Sequence, residues 1–525
     1  MSEKKTILKR ASLVGSLTSL SRIFGLLRDM VIARLFGASM ATDAFFVAFR
    51  IPNVLRRLFA EGALTVSFIP IFKDAQIKGG RAEAKEIVNV VFTFLTLVVA
   101  VVVVFAIIFA PAIVKIIAGG FADPEKFELT VYLTRLTFPY LFLICLVAFS
   151  MGVLNSVGHF TAPAMAPVLL NISIITSALL FGAHLGEPVV SLSIGVVFGG
   201  VLQVLLQIPF LRREGYFPSL SFDFRNPALK KLLLLMGPAL FGIAVYQLNI
   251  FISTIIASYL PEGSVSYLYY ADRFFQLPLG IFVISMATAL LPTMSEQVST
   301  GRLEDMHDSI TFSIKVMSFI TLPAAAGLFA LSVPLFSLFF QRGAFDYDTT
   351  LKSADALRYY AVGLWAIGGV KMVVPAFYAM QDMKTPVRGA FAAFISNVLL
   401  SLLLMGPLLH GGLALATSLS SLINLAFLIF VIRERAGKII DRVMLSSFMK
   451  SLLASCATGV VASFVSRFAD WSMDGNSLEK IIVVTAAIAA GVITYIISSF
   501  LLRSDEATYV MKEVKVRIGR RCGNA

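Results

Sequence analysis

The sequence has little charge and few of the residues that build disulfide frameworks or metal sites. Only 14% of its 525 residues are charged, against about 25% in soluble domains, which excludes a typical cytosolic enzyme. Its 58% hydrophobic content excludes an intrinsically disordered chain. Three dispersed cysteines, without CxxC spacing, exclude a disulfide framework or zinc site, and the four histidines are equally scattered. We therefore predict no bound metal.

Common catalytic signatures are also missing. Gly437-Lys438 is followed by Ile439 and lacks the upstream glycines of a Walker A motif, and neither HExxH nor GxSxG occurs. No hydrophilic stretch is long enough to form a soluble catalytic domain. We predict that the chain is not an enzyme and carries no cofactor.

Long apolar runs dominate the sequence, whose mean hydropathy is +0.86. Because a membrane helix needs about 20 apolar residues, the sequence predicts an all-α polytopic membrane protein with about fourteen transmembrane helices. The predicted spans lie near 11–37, 41–72, 87–118, 130–155, 161–184, 188–211, 230–259, 264–294, 310–340, 354–380, 386–409, 411–432, 445–468 and 480–503.

The distribution of basic residues predicts the orientation. With a cytoplasmic N-terminus, the predicted inside segments hold 27 lysines and arginines and the outside segments hold 5. This is the positive-inside pattern, so we predict a multi-pass membrane protein with both termini in the cytoplasm. The same pattern accounts for the net charge of +13, and we predict no nucleic-acid partner.

The two halves of the sequence resemble each other around proline residues. Three pairs of segments recur at offsets of 226, 222 and 223 residues, centred on Pro52 and Pro278, Pro70 and Pro292, and Pro163 and Pro386. The repeat predicts two six-helix lobes, 1–211 and 230–432, joined by a cytoplasmic linker at 212–229. Two further helices and a basic tail occupy 433–525. The alternative is that common membrane-helix prolines match by chance.

The first, second and eighth predicted spans carry unusual charge. They contain seven arginines and four acids: Arg22, Arg28, Asp29, Arg34, Asp43, Arg50, Arg56, Arg57, Glu61, Asp272 and Arg273. An arginine at the bilayer centre costs about 2.5–3.5 kcal/mol. The set therefore predicts a water-filled cationic cavity for an anionic substrate, since the arginine fork suits phosphate. The alternative is internal salt bridges, such as Arg57–Glu61 and Asp272–Arg273, with snorkelling at the helix ends.

Several segments resemble the MurJ (MviN) family of lipid II flippases, within the multidrug/oligosaccharidyl-lipid/polysaccharide exporter superfamily. They are SRIFGLLRD, FGASMATDAFFVAFRIPNVLRRLFAEGALTVSFIP, GGFAD, GSVSYLYYADRFFQLPLG and QDMKTPV. The resemblance implies fourteen helices, with a cationic cavity between two lobes and a groove for a polyprenyl tail on the last two helices. The implied substrate is lipid II, an undecaprenyl-pyrophosphate-linked disaccharide-pentapeptide. The resemblance implies a location in the bacterial inner membrane, where lipid II would move from the cytoplasmic to the periplasmic leaflet by alternating access.

The resemblance also implies roles for particular residues. It places Arg22, Arg28, Arg56 and Arg273 in the substrate cavity, and it places gating or salt-bridging roles on Asp29, Asp43, Arg57, Glu61 and Asp272. No clear acidic match to the sodium site of some family members is present, so coupling to sodium or to the membrane potential stays open. The implied partners are membrane lipids and the peptidoglycan synthesis machinery.

Three alternative functions compete with this interpretation. A cationic-drug exporter of the same superfamily would need acids in its cavity, whereas the charged spans here are net basic. An O-antigen-type lipid-linked oligosaccharide flippase also handles pyrophosphate, and only the family motifs disfavour it. An envelope scaffold or anion channel is disfavoured by the repeat and by the placement of charge in both lobes.

Overall fold

All the regular elements in the described part of the chain are helices. The structure, a computed structural model, describes residues 3–57, 64–437, 439, 441–475 and 477–509. The helices are α1 Glu3–Phe36, α2 Met40–Arg56, α3 Thr65–Lys78, α4 Gly80–Ile108, α5 Ala110–Ile117, α6 Pro124–Ser156, α7 Thr161–Phe181, α8 Val190–Glu214, α9 Pro227–Ser258, α10 Ser264–Pro278, α11 Ile284–Ser299, α12 Leu303–Ala330, α13 Ser332–Phe339, α14 Tyr347–Ala379, α15 Lys384–Ala436, α16 Arg442–Ser466 and α17 Ser477–Leu501. The predicted all-α class is therefore confirmed.

Within the described residues, ten helical stretches are long and apolar enough to cross a membrane. One of them, Lys384–Arg435, has the length of two spans, and its backbone leaves the helical region at Leu409. The first predicted span lies in α1, which is absent from the ten because its arginines and acid lower its hydropathy. The described helices therefore have the lengths and composition of a polytopic membrane protein.

Several predicted single spans consist of two helices. The predicted span 87–118 comprises α4 and α5, which meet at Phe109. Pro111 stands in the first turn of α5, where a missing backbone N–H costs no hydrogen bond. The predicted span 41–72 likewise covers α2 and the start of α3.

The first compact unit comprises residues 1–266. Within it α2 packs on α6, α1 packs on α7, and α8 packs on both α6 and α7. Small residues allow the close α7–α8 approach: a Cβ added at Gly195 would lie 2.8 Å from the Cα of Ile174. Gly199 makes a similarly close approach, since a Cβ there would lie 3.1 Å from the Cα of Leu170, so the two glycines act as a small-residue packing pair.

The second compact unit comprises residues 267–525. Here α14 packs on α12 and α15, while α16 packs on α12 and α17. The Tyr495 hydroxyl on α17 donates to the Phe319 carbonyl of α12 at 2.7 Å. The division after Ser266 lies one helix later than the predicted linker at 212–229, because α9 packs on α3, α4 and α5. The repeat-based lobes stay a prediction.

Candidate functional site

Arg28 and Asp29 form a buried ion pair on α1. The Arg28 Nη2 lies 2.6 Å from Asp29 Oδ1, and Arg28 Nε donates to the same oxygen at 3.0 Å. The third contact comes from α7, where Asn171 Oδ1 accepts from Arg28 Nη1 at 3.0 Å. These contacts fix the plane of the guanidinium and supply the counter-charge that a buried cation requires.

The other sequence-predicted residues of the first two helices are more accessible. Arg22 is exposed on α1. Arg56 is half-buried in the last turn of α2, and its Nε donates to Asn53 Oδ1 at 2.9 Å. Arg57 is exposed at the end of α2, and Glu61 lies outside the described residues.

Arg273 and Asp272 lie on α10, in the second unit. The guanidinium of Arg273 stacks over the Tyr269 ring, 4.4 Å from its centroid, and also donates to the Tyr269 hydroxyl. Asp272 Oδ1 accepts from Gln276 Nε2 at 3.3 Å. Cation–π stacking helps to orient the arginine fork.

Both carboxylate oxygens of Asp43 accept hydrogen bonds. Its Oδ2 accepts from Lys126 Nζ and from the Gly263 backbone N–H, each at 2.8 Å. Its Oδ1 accepts from the Ser266 hydroxyl at 2.7 Å and from the Ser266 N–H at 3.0 Å. We call Asp43, Lys126, Gly263 and Ser266 the Asp43 cluster. It joins the start of α2, the start of α6 and the segment 259–266.

Further contacts hold the same end of the first unit together. The Met40 N–H donates to Glu262 Oε1 at 2.6 Å, and the Gly120 N–H donates to Ser258 Oγ at 3.0 Å. Lys126 Nζ also lies 4.1 Å from the centroid of the Phe121 ring. The turn before α6 and the end of α9 are thus both attached to the region around the Asp43 cluster.

Sequence reasoning missed Lys126 and Asn171 as partners of the predicted residues. Lys126 precedes the predicted span 130–155, but it lies in the first turn of α6, two residues after Pro124. A cation there opposes the helix dipole, which is a local sign that a carboxylate partner is needed. Asn171 stands alone in an apolar stretch, and a lone amide in a membrane helix indicates a polar contact.

The comparisons with known proteins assign the family. A family model described as lipid II flippase MurJ matches residues 32–475. This chain belongs to that family. A probable lipid II flippase MurJ of Vibrio cholerae is 34% identical, with 95% of this chain and 96% of the relative covered. A lipid II flippase MurJ of Burkholderia cenocepacia is 38% identical, with 80% and 83% covered.

Solved structures agree with this family assignment. A lipid II flippase MurJ in an inward closed conformation matches with a TM-score of 0.77 and 28% identity, covering 94% of this chain and 99% of that one. An inward-facing multidrug resistance MATE transporter matches with a TM-score of 0.67 and 17% identity, covering 82% and 98%. At that identity the MATE transporter shows a shared fold alone. Among the described residues, no group of three His, Cys, Asp or Glu side chains is placed to hold a metal ion.

Proposed function

We propose that this chain is a lipid II flippase, a transporter that moves undecaprenyl-pyrophosphate-linked peptidoglycan precursor from the cytoplasmic to the periplasmic leaflet. The observation that carries the proposal is the family match over residues 32–475. Relatives matched over most of their length bear the same function in their names. Membrane lipids and the peptidoglycan synthesis machinery are its proposed partners.

The pyrophosphate would bind to arginines of a central cationic cavity. Arg28, Arg56 and Arg273 are the proposed direct contacts, with Arg22 contributing positive charge. The Arg28–Asp29 geometry supports this role, because the carboxylate occupies the fork that a phosphate would use. We propose that the substrate phosphate exchanges with Asp29, so that the buried guanidinium always has an anionic partner.

The Asp43 cluster would act as the periplasmic gate of an alternating-access cycle. In the charge-based orientation, the starts of α2 and α6 and the segment 259–266 all lie at the periplasmic end. The buried Asp43–Lys126 pair and the two Ser266 bonds hold that segment against α2. Release of the head group would require these bonds to break, with sodium or the membrane potential as the proposed source of energy.

The proposed topology has fourteen helices in the inner membrane, with lobes 1–211 and 230–432. The break at Leu409 divides one of the ten candidate stretches into two. Helix α1, the α2–α3 pair and α9 then add three crossings. This total and the 27-to-5 basic bias support cytoplasmic termini. The basic tail after residue 509 lies outside the described residues.

The last two helices would carry the polyprenyl tail. Helices α16 and α17 lie outside the predicted repeat, and apolar side chains such as Leu453, Val460 and Ile493 are exposed on them. A long apolar tail would be excluded from a charged cavity, so it would follow this outer surface while the head group crosses inside.

The test of the function is depletion of the protein in its native host. We expect lipid II to accumulate, and an impermeant hydrolase added to spheroplasts should fail to cleave the accumulated lipid. Re-expression of the wild-type chain should restore cleavage. Unchanged lipid II levels and unchanged cleavage after depletion would contradict the proposal.

A further inference from the structure

The first unit contains an apolar cavity of about 470 Å³ that the proposed transport cycle does not use. Its walls come from α2, α4, α5, α6 and α9, and all the side chains that line it are apolar. Three of them, Val102, Phe105 and Phe109, are 36%, 56% and 54% exposed. The cavity therefore opens on the surface of membrane-spanning helices, where hydrocarbon surrounds the protein.

The residues that line the cavity reach from the predicted periplasmic end of α5 to the last turn of α2. One end is Ile117, the last residue of α5, next to the predicted periplasmic loop. The other end includes Leu55, which lies roughly 22 Å along α2 from Met40 at 1.5 Å per residue. Because the hydrocarbon core is about 30 Å thick, the predicted orientation places the cavity mainly in the periplasmic leaflet.

An exposed arginine stands beside the cavity, at the level of the break between α4 and α5. Arg135 lies one helical turn before the lining residue Phe138 on α6. Its Nε donates to the Ile107 carbonyl at 3.3 Å, beside the α4–α5 break, and its side chain is exposed. A guanidinium at a lipid-facing surface favours a phosphate oxygen as its partner.

We propose that this cavity binds one acyl chain of an anionic glycerophospholipid of the periplasmic leaflet, with the lipid phosphate on Arg135. The apolar lining disfavours water, and an inserted peptide would leave backbone groups unsatisfied. A cavity of this size fits an acyl chain better than the much longer polyprenyl tail. Since Phe251 of α9 forms part of the wall, the bound lipid would brace α9 against α4 and α5.

The test uses the full chain in nanodiscs that contain a photoreactive phosphatidylglycerol with a diazirine on its acyl chain. We expect labelled peptides to concentrate between residues 101 and 117. Val102→Trp fills the cavity mouth and should lower this labelling about tenfold. That factor corresponds to the binding free energy lost when roughly two methylene groups of the acyl chain remain outside the cavity. Val104→Trp is the matched control, because Val104 is 55% exposed on the same helix and does not line the cavity. It should label like wild type.

The head-group contact has its own test. In a competition between phosphatidylglycerol and phosphatidylcholine probes of identical chains, wild type should prefer the anionic probe about fivefold, the effect of one basic residue near an anionic lipid. Arg135→Gln, at an exposed position, should remove this preference while labelling at 101–117 persists.

Three outcomes would overturn the proposal. One is equal labelling of wild type and Val102→Trp at residues 101–117. Another is equal capture of the two probes by the wild-type chain. The third is displacement of the label by undecaprenyl phosphate but not by unlabelled phosphatidylglycerol, which would assign the cavity to a polyprenyl chain.

Discussion

Lys126 Nζ lies 2.8 Å from Asp43 Oδ2, and both side chains are buried. The two residues are 83 positions apart and lie at the starts of α6 and α2. The carboxylate compensates a cation that the dipole of α6 disfavours. It also accepts bonds from Gly263 and Ser266, so a single side chain joins three parts of the first unit. The proposed gate therefore depends on this pair.

Removal of the cation should destabilise the protein strongly. Lys126→Met leaves Asp43 buried without its ionic partner, a change that costs about 3–5 kcal/mol for buried pairs. We expect a lower unfolding temperature in detergent and loss of complementation. The double variant Asp43→Asn with Lys126→Met should recover part of the stability, because neither charge stays uncompensated.

An exposed pair in the same unit provides the control. Lys78 and Asp74 lie 2.7 Å apart on α3 with both side chains exposed. Solvent screens such a pair, so Lys78→Met should leave the unfolding temperature unchanged. Equal unfolding temperatures of Lys126→Met and Lys78→Met would contradict the structural role of the Asp43 cluster.

The three proposed pyrophosphate contacts should be separately essential. Alanine at Arg28, Arg56 or Arg273 should abolish complementation. Membrane abundance should stay normal for Arg56→Ala and Arg273→Ala, whereas Arg28→Ala should also lower the unfolding temperature, because it removes the ionic partner of the buried Asp29. Lysine should rescue only partly, because it lacks the planar fork. Arg34→Ala is the control, since Arg34 is exposed on α1 and has no proposed contact with substrate. Full activity of all three alanine variants would reject the cationic site.

The proposed topology can be mapped with reporter fusions. Fusions near residues 123 and 262 should report a periplasmic location, and those near 78 and 220 a cytoplasmic one, because basic residues concentrate on the cytoplasmic side. A cytoplasmic signal at 262 would reverse the proposed position of the Asp43 cluster and remove its role as a periplasmic gate.

Two glycines of the last two helices should differ in their tolerance of larger residues. A Cβ at Gly459 would meet Ala326 at 3.6 Å, an ordinary contact, whereas a Cβ at Gly491 would lie 3.2 Å from Thr458 Cγ2. Gly459→Ala should therefore keep activity. Gly491→Leu should separate α17 from α16, lowering both the unfolding temperature and transport. Unfolding curves and complementation compare the two; equal loss in both would contradict this packing.

The tail proposal has a direct crosslinking test. A lipid II analogue with a photoreactive group in its polyprenyl tail should label residues between about 445 and 503, since a tail outside the cavity follows the exposed apolar side chains of α16 and α17. Labels concentrated on α1 and α2 would show that the tail enters beside the charged helices instead.

Asp382, between α14 and α15, should make the stability of the folded protein depend on pH in the acidic range. Hydrogen bonds from Thr385 and the Arg435 guanidinium hold the pKa of Asp382 at about 2, below its usual 3.8. A lowered folded-state pKa means that its stabilisation is present above about pH 4 and is lost as the pH falls through 2. Asp382→Asn should unfold at a lower temperature at pH 7 and show a smaller change between pH 4 and 2. Identical pH profiles would contradict this contribution.

The sequence predicts the helical class and the family because both depend on features that a linear pattern contains. Apolar runs indicate spans, and motifs such as YYADRFFQLP contain Asp272 and Arg273 in neighbouring positions. Breaks within a span are harder to locate. The α4–α5 break at Phe109 depends on Pro111, and many membrane-helix prolines, such as Pro139 within α6, leave the helix continuous.

The partners of the site residues could not be predicted from local patterns. Arg28 meets Asn171 across 143 positions, and Asp43 meets Lys126 across 83. Helical periodicity groups residues on one helix face, but it does not specify which other helix packs there. Asp43 and Arg50 share a face of α2 by periodicity, but periodicity does not reveal that Arg50 Nη1 donates to Thr254 Oγ1 at 2.6 Å.

The most direct test of the account is lipid translocation by the purified protein in proteoliposomes. Lipid II labelled on its peptide should cross to the opposite leaflet faster than in empty liposomes, and Arg28→Ala should reduce the rate to that of the empty control. An O-antigen-type undecaprenyl-pyrophosphate oligosaccharide should move much more slowly. Translocation of that oligosaccharide while lipid II stays in its original leaflet would contradict the proposed function.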